Sequence, residues 1–181
     1  SALSQSATPP KNGPARGSAR RWRGLPVPFF FQSQTAEAFA ALDMRHDDVV
    51  ISSLVKGGTT WCHKIMFLLM HGVDDNGELC VPAQGTVGSK GQVYPDAIVL
   101  RRGASPDPAN TPEMDAGRRQ FFGDWTFEDD LCAQAAPRLF STHLPAEHLP
   151  TRLTAPDGQG RLVVVLRNLK DVLASLHYFR G

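Results

Sequence analysis

Long apolar runs, paired cysteines and an excess of one charge are all missing from this chain of 181 residues. No stretch approaches the roughly twenty apolar residues that span a membrane, so a membrane role is not expected. The cysteines, Cys62, Cys80 and Cys132, are odd in number and lack metal or redox spacing, which suits reduced thiols in a cytoplasm-like compartment better than a disulfide framework. A formal net charge of +1 gives no case for nucleic acid as a partner. His46, His63, His71, His148 and His177 form no ligand spacing with acids or cysteines, so they read as surface or packing residues and no metal is expected. Internal repeats are lacking. A Walker loop is lacking too, because the lysine of the one glycine-rich turn precedes both glycines, and this disfavours an ordinary nucleotide triphosphatase.

What is present suits one globular domain, with 41% hydrophobic and 20% charged residues able to bury a sizeable core. Residues 1–23 differ from the rest. They carry Lys11, Arg16, Arg20, Arg21 and Arg23 among Ser, Ala, Pro and Gly, with no acid before Glu37, and read as a disordered basic leader with the composition of an organelle transit peptide. Residues 24–181 are assigned to the domain, and Phe29, Phe30 and Phe31 are expected to pack on its core. The segment 85–117, rich in glycine, proline and small polar residues, reads as an insertion, either a surface excursion or a loop on the acceptor side.

The chemistry gathers where apolar strands end. Val49 to Val55 is a β-branched run that enters Lys56-Gly57-Gly58-Thr59-Thr60-Trp61 and then a helix whose apolar residues from Ile65 to Met70 are assigned to its buried face. Two glycines let the backbone turn and bring N–H groups close to an anion, and the positive end of the following helix points at the same place. Lys56 adds an ammonium, while Thr59 and Thr60 add hydroxyl donors. Residues 161–166 form a second buried strand candidate, followed by Arg167-Asn168 and a helix with Val172, Leu173, Leu176 and Phe179 at helical spacing and Ser175 two turns in. Taken alone, Arg167 reads as a surface partner of Asp171. Residues 137–142 form a third strand candidate, ending at His143-Leu144-Pro145. In an open parallel α/β sheet the carboxyl edge binds ligands, so Lys56, His143 and Arg167 are expected in one site.

These blocks resemble the sulfotransferases that use 3′-phosphoadenosine 5′-phosphosulfate, most closely the cytosolic kind acting on small molecules. The resemblance runs through Gly24-Leu25-Pro26, Asp47 to Ser52, Lys56 to Trp61, Pro137 to Pro145, and Arg167 to Ser175, in the family's order. It implies an α/β three-layer sandwich with a central parallel sheet and a phosphate-binding loop. It also implies that Lys56 steadies the leaving phosphate, that Gly57, Gly58, Thr59 and Thr60 cradle the 5′-phosphosulfate, and that Trp61 packs on the adenine. Arg167 and Ser175 would grip the 3′-phosphate, and His143 would take the proton of an alcohol, phenol or amine acceptor. An imidazole, with a reference pKa of about 6.5, suits that role near neutrality.

Three departures stand out. Gly57 replaces a common serine, Ser141 replaces a common lysine, and the later helices, tyrosine contact and 3′-phosphate loop of the family have no counterpart after Ser175. The chain is therefore expected to be the amino-terminal portion of such a domain, with its C-terminal part missing. Two further readings stay open. One is a non-catalytic nucleotide-binding or interaction module; the other is a nucleotide kinase-like phosphotransferase, which would depend on magnesium.

Overall fold

The computed structural model describes residues 20–28, 30–72, 76–78, 94–108 and 110–180. Most of the expected leader, Phe29, Cys80 and the first part of the segment 85–117 lie outside the described residues.

At the centre is a three-stranded parallel sheet of β3 (Val49–Ser53), β4 (Leu139–Thr142) and β5 (Arg161–Val165), in the order β4-β3-β5. Val49 pairs with Leu139 on one side and with Arg161 on the other. The period-two alternation of strands sorts the side chains between two cores. Val50 and Phe140 face a cluster with Phe31, Phe39, Met44 and Leu149, built partly by α1 (Ser33–Ala40). Val49, Ile51 and Leu139 face Cys62, Met66, Phe67 and Met70 of α2 (Thr59–His71). The chain is thus an α/β layered structure with a parallel sheet at its middle, as the sequence predicts.

The amino edge of the sheet is tied by one buried ion pair. The Arg138 guanidinium donates from Nε to Asp48 Oδ1 at 2.8 Å and from Nη2 to Asp48 Oδ2 at 2.5 Å. Asp48 has no exposed surface and Arg138 retains 3%. Backbone bonds at the same point join all three strands, with Val49 N–H donating to Arg138 O at 2.9 Å and Arg161 N–H donating to Asp48 O at 2.8 Å.

Several sequence expectations change. The run from Ile65 to Met70 is split by helical periodicity: Met66, Phe67 and Met70 pack against the sheet, whereas Ile65 and Leu69 are 54% and 74% exposed. The strand at 161–165 is only partly buried: of the two outer strands of the described sheet, β4 is buried along its length, whereas β5 leaves Val164, and Leu166 just beyond it, facing outward. The fold also begins earlier than residue 24. Arg21–Trp22 (β1) pairs with Leu25–Pro26 (β2), Trp22 joins the core against Phe31 at 5.1 Å, and Arg20 meets Asp107 at 3.0 Å. Composition alone hid this, since the basic residues of 20–23 flank a tryptophan whose burial decides their placement. Phe31 is buried, as expected.

The segment 85–117 contributes to the core where it is described. Tyr94 to Ile98 is buried, with a 3₁₀ turn at Pro95–Ala97, and α3 (Pro112–Phe122) follows behind a Thr111 cap that accepts from Met114 N–H. A single π turn (Phe127–Leu131) leads back toward β4, and the short α4 (Thr151–Thr154) precedes β5. No helix of the described residues is long and apolar enough to cross a membrane.

Breaking one side of the Asp48–Arg138 pair leaves a buried charge uncompensated. Arg138→Ala is expected to lower stability by roughly 3–5 kcal/mol in urea unfolding, while replacing both partners by apolar residues costs less than either single change.

Candidate functional site

The carboxyl ends of β3, β4 and β5 open onto a common edge. After β3 the chain turns at Leu54, with Gly57 N–H donating back to Leu54 O at 2.8 Å. A Cβ at Gly57 would lie 2.7 Å from Leu54 O, too close for any real side chain, so the tight loop requires glycine where it passes over the strand end. Lys56 and Gly58 both adopt positive φ, 63° and 111°. Gly58 is the N-cap of α2 and provides no side-chain cap, so the first N–H groups of that helix remain available to an anion.

The two threonines divide their work. Thr59 is buried, its hydroxyl in a short hydrogen bond with Ser53 Oγ, so it stitches the loop to the strand. Thr60 is exposed, and the Trp61 ring is 79% exposed. Lys56 is half-buried at the top of the loop.

His143 follows β4 and is half-buried. Its Nδ1–H donates to Ser53 O at 2.9 Å, because a carbonyl can only accept. In the neutral ring this commits the tautomer and leaves Nε2 with the free lone pair. The Tyr94 ring packs on the imidazole with centroids 5.0 Å apart. The Tyr94 hydroxyl interacts with the hydroxyls of Thr59 and Thr60, and burial raises its pKa well above the ordinary phenol range.

Arg167 follows β5. Its Nη1 donates to Lys56 O at 3.3 Å, which joins the third strand end to the loop of the first. No Arg167–Asp171 ion pair forms among the described residues; Asn168 instead caps α5 (Leu169–Arg180) by accepting from Lys170 N–H at 2.9 Å. Ser175 is half-buried on that helix, two turns from the loop. The structure therefore joins Lys56, Gly57, Gly58, Thr59, Thr60, His143 and Arg167 through a chain of contacts, with Ser175 carried on the helix behind Arg167.

Sequence reasoning missed Tyr94 and Asp96. Asp96 is 2% exposed, and its Oδ1 accepts from Thr142 Oγ1 at 3.2 Å. Burial raises the Asp96 pKa, and the neighbouring His143 charge opposes that rise. The only sequence signal was a tyrosine, a proline and an acid clustered inside a polar stretch, which is also what an ordinary turn looks like.

A sequence family described as "Sulfotransferase domain" matches residues 46–181. Among curated relatives, Sulfotransferase 1 family member D1 of Rattus norvegicus is 27% identical over 87% of this chain and 43% of its own length. Sulfotransferase 6B1 of Homo sapiens is 26% identical over 88% of this chain and 41% of its own, and Sulfotransferase 1A1 of Canis lupus familiaris is 27% identical over 87% and 43%. The chain spans less than half the length of these relatives.

His63 lies beneath the site on α2, 5% exposed, sharing a hydrogen bond between Nδ1 and Ser141 Oγ at 2.9 Å. Burial lowers its pKa from 6.5 to about 4, so the folded ring stays neutral where the unfolded one is protonated. The unfolded state therefore binds more protons between those values, and stability falls as pH drops from about 6.5 toward about 4, then changes no further from this group. The loss is on the order of 3 kcal/mol. Urea unfolding across this range should show the slope in the wild type and a flatter profile in His63→Gln.

Proposed function

The chain belongs to the sulfotransferase domain family, and from that membership we propose that it transfers a sulfuryl group from 3′-phosphoadenosine 5′-phosphosulfate to a hydroxyl or amine of a small acceptor. The observation that carries this reading is the linkage of three strand ends. His143 bonds Ser53 O at the foot of the loop, and Arg167 bonds Lys56 O at its top.

The donor suits the residues present. An uncapped helix N-terminus, a loop too tight for a side chain at Gly57 and two cations favour a ligand with several anionic oxygens. In this reading Lys56 and the N–H groups of Gly58 to Trp61 hold the 5′-phosphosulfate, Trp61 offers a ring face to the adenine, and Arg167 with Ser175 holds the 3′-phosphate. The buried turn from Tyr94 to Ile98, with the Tyr94 ring against His143, flanks the acceptor side.

The transfer forms a bond from the acceptor oxygen or nitrogen to sulfur and breaks the bond from sulfur to the bridging oxygen. The acceptor proton passes to His143 Nε2, the nitrogen left free by the bond from Nδ1 to Ser53. The electron pair of the broken bond stays with the departing phosphate, where the Lys56 ammonium and loop N–H groups are worth most because the charge develops there. Thr59 acts by fixing the loop rather than by touching the donor, since its hydroxyl is already engaged with Ser53.

Calorimetric titration with 3′-phosphoadenosine 5′-phosphate, against adenosine 5′-phosphate, tests the nucleotide site. A clear preference for the 3′-phosphorylated ligand is expected; equal or no binding by the folded protein would overturn the reading. Arg167→Ala should weaken binding of the 3′-phosphorylated ligand by about ten- to a hundredfold and abolish that preference. Lys56→Ala should lower turnover more than nucleotide affinity.

A further inference from the structure

A carboxyl buried as completely as Asp96 is costly unless something compensates its charge. It enters no ion pair with lysine or arginine among the described residues. Its segment is firmly held on the opposite side. Gln32 N–H donates to Asp96 O at 2.8 Å, Thr35 Oγ1 donates to Ile98 O at 2.9 Å, and Ala97 N–H donates to Tyr94 O at 2.9 Å. The carboxyl accepts from Thr142, the residue immediately before His143, and Thr142 Oγ1 in turn accepts from Leu144 N–H at 3.1 Å, immediately after it. The same segment lays the Tyr94 ring on the imidazole. The backbone on both sides of His143 and one face of its ring are therefore held by Tyr94 and Asp96 through Thr142.

We propose that Asp96 is a positioning residue for His143, a buried carboxyl that holds the ring through Thr142 and stabilises the positive charge the ring gains on taking a proton. This deepens the base role proposed above and rests on it. When the acceptor gives its proton to Nε2, the imidazole becomes a cation in a half-buried place. The Asp96 carboxyl, fixed by the Thr142 hydroxyl at the strand end that carries His143, supplies the opposite charge without competing for Nδ1, which is already committed to Ser53 O. The groups facing this pair from the packed elements are Tyr94 from the same segment, the Ser53 carbonyl from β3 and Thr142 from β4, with Thr59 and Thr60 of α2 behind the tyrosine hydroxyl. Lys56 and Arg167 are the cations of the same sheet edge.

The decisive experiment is a pH titration of the histidine ring signals by NMR in the wild-type protein and in Asp96→Asn, with no substrate present. Loss of the carboxylate is expected to move the His143 midpoint lower, with His46 and His177 unmoved. An unchanged or raised midpoint in the folded variant overturns the proposal. If Asp96→Asn does not fold, the wild type decides: the Asp96 carboxyl carbon signal must respond within the His143 step, and a signal that stays still overturns it. A purely structural role would leave the His143 midpoint in place. Because no nucleotide enters the measurement, failure of the coupling is distinguishable from failure of the sulfuryl-transfer reading, which calorimetry with the 3′-phosphorylated nucleotide tests separately.

Discussion

The register of the parallel sheet is the constraint on which the site depends, and it is set at the end of the strands remote from the chemistry. Asp48 binds Arg138 with both carboxylate oxygens, and the backbone at the same level ties β3 to β4 and β5. A slip of one residue would turn every side chain to the opposite face, sending Val50 and Phe140 into the α2 layer. It would also shift His143 relative to Ser53 O, and so undo the hydrogen bond that selects the ring tautomer. From Val49 to Ser53 the strand carries this register over roughly 13 Å to the loop. The pair need not add much net stability to matter here, because a buried bidentate contact with fixed geometry serves to exclude alternative pairings.

At the carboxyl edge, the proposed anion recognition would come mostly from the backbone. Two consecutive turns with positive φ, one at a lysine, hold the chain where ordinary residues are strained, and the glycine between them fits only because it has no side chain. The hydroxyls of Thr59 and Tyr94 brace that loop from below. This divides the expected loop residues into those that shape it, Gly57 and Thr59, and those that are exposed, Thr60 and Trp61. Sequence spacing cannot make that division, since adjacent threonines look alike until one is seen to turn inward.

Much of the site was legible because its parts are local. A β-branched run, a glycine turn and a helix follow one another within residues 49–71, and periodicity identifies each. The same holds for β5, Arg167 and α5. Parallel pairing then brings those units to one edge, which is a general property of the architecture. What could not be read was everything set by long-range contact. Asp96 meets Thr142 across a separation of 46 residues, and Arg20 meets Asn110 across 90. Neither has a periodic signature. His63 was left as a surface or packing residue, and its contact with Ser141 rests on the crossing of α2 over β4, which no single segment announces.

The two halves of the site are held with unequal firmness. Ser53, Thr59, Tyr94, Asp96, Thr142 and His143 form a continuous buried or half-buried network on the two central layers. Arg167 follows β5, an outer strand, and Ser175 lies on α5, a helix in which Val172 is the fully buried side chain among those described while Leu169 and Leu173 are 60% and 58% exposed. Segments with few buried apolar contacts open at lower free energy than the core that carries them. A ligand bridging both halves would meet a preformed loop and the fixed ring of His143 on one side, and on the other an arginine anchored by one hydrogen bond to the Lys56 carbonyl. Ordering the Arg167 side would then be paid from binding energy, whereas the geometry around His143 exists before the ligand arrives. For the proposed transfer the consequence is a division of labour: orientation of His143 is built into the core, and the contribution of Arg167 to affinity would be set at the sheet edge.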